Sequence, residues 1–477
     1  MSNSVKDNEL SGHKSGAQGL HRVPPAPQVM AQLYADYRRL PAGTKVSFKD
    51  YLTIIGFTDP GEMLSGGDDG VANKRTDVDG IRLVAVPKKA VTGSLKVMVL
   101  LVDFVDNVGE RRPHEYEDML FSERTFPTGS LRDYYRQVSL NKVDVTGTVH
   151  GWFRMPQPYT FYVNNQNGTG PYPKNAQRLA EDALEVAKAS GVTFGRELDA
   201  LRSGSVTALV IVHAGQGAEV ATSVPLQKRR IWSHKADLPN PVDLGNQLYA
   251  TNYLTIPEDC RMGVCAHELG HLAFQWDDFY DPNYGEDGSA WAGAGSWDLM
   301  ASGSWNGDGN LPAHPAGLHK LQHGWVKVEE ITRTTPGVRL PPYTAEVGHV
   351  VRISARGFSS TQCLVLENRR RGGFDHVLPG EGLLVWRIDT KKEEVAPDSP
   401  AMVLIQADGR HQMDTPNDYN DGDAGDPFPG TSNVVMLSDT GATSTSFPGA
   451  APSGISLSNI VVEPSGDITL DITIAQV

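Results

Sequence analysis

The stretch GVCAHELGHLAFQWDDFYD, Gly263 to Asp281, decides how the rest of the chain is read. Within it His267, Glu268 and His271 form an H-E-x-x-H pattern. On an α-helix, residues four apart project from one face, a turn apart along the axis. Two imidazoles placed that way can bind one zinc ion, each through a single ring nitrogen. Glu268, beside the first imidazole, then reaches a metal-bound water rather than the metal. Such a site polarises a carbonyl, supplies a hydroxide-like nucleophile near neutral pH and keeps a proton carrier at hand. His267 and His271 are therefore the expected ligands and Glu268 the expected general base. The flanks suit a helix: Thr255 as cap, Pro257 near the first helical position, and Glu258 and Asp259 in the first turn. Val264, Cys265, Leu269 and Leu272 give an apolar side that would dock on a sheet.

A zinc site that does chemistry needs a third protein ligand and one open position. Asp277 stands at the offset of the third ligand in the extended, metzincin-type pattern H-E-x-x-H-x-x-G-x-x-H/D, with Asp278 as the alternative. The glycine of that pattern is Phe274 here. Downstream, SWDLMASGSW places Met300 where a methionine turn would lie beneath the metal; ordinary core packing is the plainer reading of that residue. An isolated H-E-x-x-H arises by chance. Its helical context, the offset carboxylate and the downstream methionine together carry the reading.

The chain has 477 residues, with 43 Lys and Arg against 57 Asp and Glu, a net charge of −14. That length predicts two or three domains with full apolar cores. The acidic balance argues against nucleic-acid or anionic-membrane binding. No apolar run approaches the length of a membrane span, so membrane insertion is not expected. Three cysteines, Cys260, Cys265 and Cys363, make no disulfide framework; Cys260 and Cys265 either pair locally or serve as small buried apolar residues. The opening MSNSVKDNELSGHKSG has no apolar core of a signal peptide.

Residues 1–91 read as an N-terminal extension or a pro-segment occupying the cleft, with a helix around Gln28 to Arg39, a Gly- and Asp-rich loop from Gly56 to Asp79, and a brief strand at LVAV, Leu83 to Val86. Residues 92–332 alternate strands and helices, as a catalytic α/β (α+β) domain would. LKVMVLLVDF, from Leu95, is a strand buried on both faces, and SVTALVIVHAG, from Ser205, is a second. Ser130 to Gly147 passes from helix to strand, and Asn175 to Ser190 is a helix stopped by Gly191. His213, His234 and Glu219 fall on connecting loops, where they either line the cleft or, as the plainer reading has it, are solvated loop residues. After a short helix at Pro315 to Gln322, residues 333–477 are β-rich: HVVRISA, QCLVLEN, GLLVWRI and the alternating DITLDITIA predict an all-β, sandwich-like C-terminal domain. Its loop NDYNDGDAGDPFPG carries Asp421, Asp423 and Asp426, either a calcium site or an acidic surface loop.

Laid out in order, these segments resemble the immune inhibitor A-like family of secreted bacterial zinc metallopeptidases. The matching pieces are LKVMVLLVDFVD, SLRDYYRQVS, VIVHAGQGAE, IWSHK, IPEDCRMGVCAHELGH, DDFYD, SWDLMASGSW, HKLQHGWVKV, LENRRRGGFDHVLPGEGLLVWRID, and QADGRH followed by GDAGDPFPG. The resemblance implies a metzincin-like catalytic domain, zinc on His267 and His271, Glu268 as base, protein or peptide substrates, structural calcium, and secretion. Relatives carry HxxGxPD where this chain has HLAFQWD. The expected function is a zinc-dependent endopeptidase. The alternative is a catalytically inactive metalloprotease-fold binding protein with structural zinc, which would need a fourth protein ligand and has no use for Glu268.

Overall fold

The computed structural model describes residues 20–41, 46–57, 89–280, 291–344, 346–391, 401–415, 420–441 and 443–475. The expected LVAV strand and most of the Gly56 to Asp79 loop lie outside them, as does Asp281.

Six strands form the first sheet: β1 (Leu20–Arg22), β2 (Gly93–Asp103), β3 (Val143–Arg154), β4 (Leu209–His213), β5 (His234–Asp243) and β6 (Tyr249–Pro257), in the order β1-β5-β6-β4-β2-β3. β3, β2, β4 and β6 run parallel, β5 runs antiparallel to β6, and β1 antiparallel to β5. Strand β2 shows why its sequence is an unbroken apolar run. Leu95, Val97, Val99 and Leu101 enter one buried cluster, while Met98, Leu100 and Val102 enter a second on the opposite face. A parallel sheet covered on both sides leaves no face for polar residues.

The helix Ala176–Ala189, capped by the Asn175 side chain, packs on one face with Leu179, Ala183 and Leu184. The helix Met262–Phe274 packs on the other and is buried on every side. It begins later than its sequence flanks predict. Thr255 and Pro257 belong to β6, where the Thr255 hydroxyl donates to the Ile211 carbonyl, and Arg261 is the cap residue, without a side-chain cap bond. Glu258 instead ties loops together, accepting from the Glu110, Arg111 and Gly215 amides. The predicted N-terminal helix is present as Pro27–Arg38, with Val29 and Leu33 in the main core.

The remaining strands make two smaller sheets. β7 (Lys327–Ile331), β9 (His349–Ile353), β10 (Gln362–Arg369), β11 (Gly382–Asp389) and β12 (Met402–Leu404) form one, in the order β12-β11-β10-β9-β7. β8 (Thr335–Leu340), β13 (Ile455–Val462) and β14 (Ile468–Ile474) form the other, in the order β13-β14-β8. Val351, Leu364, Leu366 and Val385 from the five-stranded sheet share one buried cluster with Leu457, Leu470 and Ile472 from the three-stranded sheet. Because β7 pairs with β9, the β-rich part begins just before residue 333.

A charged cluster joins the two parts. The Arg369 guanidinium, fully buried on β10, binds both oxygens of Asp375 at 2.8 and 2.7 Å and donates to the Trp297 carbonyl at 3.2 Å. Beside it Lys320 lies 3.3 Å from Glu367, whose other oxygen accepts from the Trp386 indole at 2.8 Å. Buried charges persist only when paired and hydrogen-bonded in this way.

Candidate metal centre

The helix Met262–Phe274 presents His267 and His271 one turn apart, as the spacing requires, and both are fully buried. His267 Nδ1 meets the Leu299 carbonyl at 2.9 Å and His271 Nδ1 meets the Trp276 carbonyl at 2.7 Å. A carbonyl only accepts, so each Nδ1 carries the proton and each Nε2 presents a lone pair. The two Nε2 atoms lie 3.1 Å apart. Asp278 Oδ1 completes the convergence, 3.2 Å from His267 Nε2 and 3.1 Å from His271 Nε2. Three electron-rich atoms so close repel one another unless a cation sits among them. The donor set, two imidazoles and a carboxylate, fits a divalent metal with an open position.

Among the described residues, His267, His271 and Asp278 are the one group of three His, Cys, Asp or Glu side chains close enough to share an ion. Of the two carboxylates weighed in the sequence, Asp278 joins the imidazoles; Asp277 is buried next to it but outside the group. The helix end explains the shift. The extended pattern needs a residue with left-handed backbone where this chain has Phe274, but Phe274 is still helical, and the left-handed residue is Gln275, with φ of 61°. The chain turns one residue later, and the returning carboxylate is one residue later too.

Met300 is fully buried below the helix. A Cβ built on Gly270 would lie 2.7 Å from the Met300 sulfur, so the glycine between the two histidines lets that turn approach. The turn is itself braced. Asp298 accepts from the Met300 and Ala316 amides at 3.3 and 3.0 Å and lies 3.1 Å from His319 Nε2.

Glu268 is fully buried, and among the described residues neither carboxylate oxygen has a hydrogen-bond partner. Burial pushes its carboxyl well above the usual range, reinforced by Asp278 and Glu219 and opposed by the Val23 amide and Lys235. That amide hydrogen-bonds to the Ser233 carbonyl at 3.3 Å, so it favours the Glu268 charge from nearby without bonding it.

The expected solvation of His213, His234 and Glu219 is overturned: all three are buried. His213 and His234 lie on β4 and β5, not in loops, and burial lowers each to a pKa of about 4. Burial raises Glu219 to about 7, and the Ser233 hydroxyl binds it. None of the three belongs to the metal group. The calcium expectation gains no support either. Asp421 accepts from Ser302, and Asp426 accepts from the Trp297 indole and the Asp423 amide, so these carboxylates hold a loop against the metal-bearing part. Cys260 and Cys265 are buried and free, their sulfurs 3.8 Å apart.

Sequence reading missed the residues that line the cleft. Strand β1 continues the sheet at β5, pairing Leu20, His21 and Arg22 with Ala236, Lys235 and His234. From its last residue on, three successive carbonyls are held by aromatic donors: Arg22 by the Tyr280 hydroxyl, Val23 by the Trp232 indole at 2.9 Å, and Pro24 by the Trp305 indole at 2.8 Å. The only signal was that Trp232, Tyr280 and Trp305 fall in separate short segments near the motif.

Comparison with known proteins places the chain in a family. A profile of the immune inhibitor A peptidase M6 catalytic domain matches residues 85–330. The pre-pro-metalloprotease PrtV of Vibrio cholerae serotype O1 (strain M66-2) is 31% identical over 261 residues, 44% of this chain and 27% of that protein. Immune inhibitor A of Bacillus thuringiensis subsp. alesti is 29% identical over 269 residues, 46% of this chain and 38% of that protein. The match thus spans well under half the length of either relative. The profile takes in just over half of this chain, with both imidazoles and Asp278 inside it, and on that evidence the chain belongs to the immune inhibitor A peptidase M6 family.

Proposed function

We propose that this protein is a zinc-dependent endopeptidase, with His267, His271 and Asp278 as the metal ligands and Glu268 as general base. The observation that carries the reading is the convergence of His267 Nε2, His271 Nε2 and one Asp278 oxygen beside a buried glutamate whose carboxylate accepts no hydrogen bond among the described residues. A closed structural site would need a fourth ligand, and the described residues group only three. Zinc, when bound, polarises the substrate carbonyl and acidifies water. Glu268, next to the ligand His267 and buried, is the carboxylate that would take a proton from that water and deliver it to the leaving amine. Water adds across the peptide bond: the C–N bond breaks, one product gains a carboxyl and the other an amine.

Residues 20–26 support a zymogen. Residues 20–22 pair with β5 as an extended peptide would, the Val23 amide binds the Ser233 carbonyl at 3.3 Å close enough to Glu268 to favour its charge, and the Ala26 amide binds the Glu219 carbonyl at 3.0 Å. One relative is named a pre-pro-metalloprotease. Release of this strand would open the cleft to protein substrates. Secretion is part of the same proposal, resting on the family resemblance; no helix among the described residues is long and apolar enough to cross a membrane.

The test is casein digestion by zinc-loaded protein, with and without chelator, alongside Glu268→Ala. Chelator-sensitive cleavage that vanishes in the variant is expected. Cleavage that survives the substitution refutes the assignment.

A further inference from the structure

The proposed reaction leaves the developing oxyanion with no donor from the protein. We propose that Tyr280 is that donor: its hydroxyl, which holds the Arg22 carbonyl in the resting chain, holds the scissile carbonyl of a substrate once the strand has left. This rests on the peptidase reading and adds a catalytic residue to it.

One peptide bond, Arg22–Val23, is held from both ends. On its carbonyl side, the Tyr280 hydroxyl donates to Arg22 O. On its nitrogen side, the Val23 amide binds the Ser233 carbonyl at 3.3 Å and lies close enough to Glu268, the group that would protonate a leaving amine, to favour its charge. The Arg22–Val23 bond therefore sits between the same two side chains that a reacting bond needs. The tyrosine is tied to the metal group as well. It follows Asp278 by two residues, is buried, and its ring centroid lies 6.4 Å from that of His267. The register is fixed on both sides of the bond. β1 pairs with β5 up to Arg22, the Val23 amide binds Ser233 O, and Trp232 and Trp305 hold the next two carbonyls. A substrate strand in the same register would present one carbonyl to Tyr280 and its amide to Glu268.

In the reaction, the carbonyl carbon gains the water oxygen and its own oxygen gains negative charge. Tyr280 donates a hydrogen bond to that charge and keeps its proton, so the proton balance is carried by Glu268 alone. A preorganised donor of this kind, aimed at charge that appears only in the transition state, acts on turnover rather than on substrate binding.

The test is Tyr280→Phe in the full chain, with Val23→Asp in both arms to free the cleft, and zinc content measured in each. The expected result is a fall in kcat of about 100-fold or more with KM changed by less than about 3-fold, and zinc content unaltered. A phosphinic peptide, which carries the tetrahedral anionic oxygen, should lose affinity by a comparable factor, while a product peptide should not. Without Val23→Asp, the same substitution should hasten amide exchange at residues 22–24, since it deletes a bond to that strand. Full kcat and unweakened phosphinic binding in the Phe variant overturn the role of Tyr280 and leave the peptidase reading intact. Loss of zinc in the variant overturns it too, because the residue would then be supporting the metal site. If the zinc-loaded tyrosine protein cleaves nothing, the peptidase reading falls and this proposal with it.

Discussion

Gln275 and Asp278 are coupled through the path of the chain: the left-handed backbone at Gln275, φ 61°, brings Asp278 Oδ1 to 3.1 Å from His271 Nε2. A side chain in that conformation costs about 1 kcal/mol relative to glycine. The helix therefore ends where the site needs it to, not where local preference would end it. Asp278→Asn should lower zinc affinity by more than the 10–100-fold typical of an outer partner, whereas Asp277→Asn should stay within that range. Gln275→Gly should keep the affinity and leave stability unchanged or raised by up to about 1 kcal/mol. Competition titration against a zinc chelator decides between the carboxylates. Equal losses from both would show that neither alone is the ligand.

Glu268 is set apart by its carboxylate: among the described residues both its oxygens are buried without hydrogen bonds. Glu268→Gln is nearly isosteric and removes only the capacity to carry a proton. Turnover should fall by about 10²–10⁴, the usual contribution of a positioned acid–base group, with zinc content unchanged. Metal analysis and steady-state kinetics on the same preparation check both halves. A drop in zinc equal to the drop in turnover would make Glu268 part of the binding site.

Much of this centre was legible in the sequence because it is local. The spacing of His267 and His271 needs only a helix, and the position of Met300 only a turn that returns beneath it. The alternating burial of β2 likewise follows from an unbroken apolar run. What could not be read depends on distant segments meeting. Little near Glu219 or His234 announces burial, because their partners include residues 22–26, whereas His213 ends a run already read as a buried strand. The start of the metal helix was misplaced for a related reason. Thr255, Pro257 and Glu258 are good capping and first-turn residues, but β6 needs the first two for sheet pairing and Glu258 is taken by three distant amides. Tertiary demand outweighed local preference.

Val23 is the residue through which the N-terminal strand can be released. Its side chain is buried in the main apolar core. Val23→Asp places a carboxyl in that core, with an unpaired-charge cost of several kcal/mol that the chain avoids by undocking the strand. Casein cleavage by the full chain should rise at least about 10-fold, and residues 20–26 should become the first site of protease nicking. Unchanged activity with a docked strand would show that this segment does not gate the cleft.

Arg369 and Asp375 set the response to acid. Burial alone would raise the Asp375 carboxyl, but Arg369, with lesser help from His314 and Lys320, pulls it from the ordinary 3.8 down to about 2. Glu367 and Asp298 are likewise held low despite burial, by Lys320 and Arg369 for the first and His319 for the second. With a folded pKa below the unfolded one, the unfolded chain binds more protons as the pH falls. The stabilisation is complete above about pH 4 and is lost as the pH drops toward 2, with about 2 kcal/mol from Asp375 alone. Arg369→Leu removes the cause and strands two buried carboxylates, so stability at pH 7 should fall by about 3–5 kcal/mol. Acid unfolding should then begin at higher pH. The same guanidinium holds the Trp297 carbonyl, two residues before the Leu299 carbonyl that orients His267. Zinc affinity should therefore drop with it, although the substitution lies in the β-rich part of the chain. Denaturant titrations at pH 7 and pH 4, paired with chelator competition, measure both effects. An unchanged acid profile would remove Arg369 from the account, and unchanged zinc affinity would show that the metal centre does not depend on that sheet.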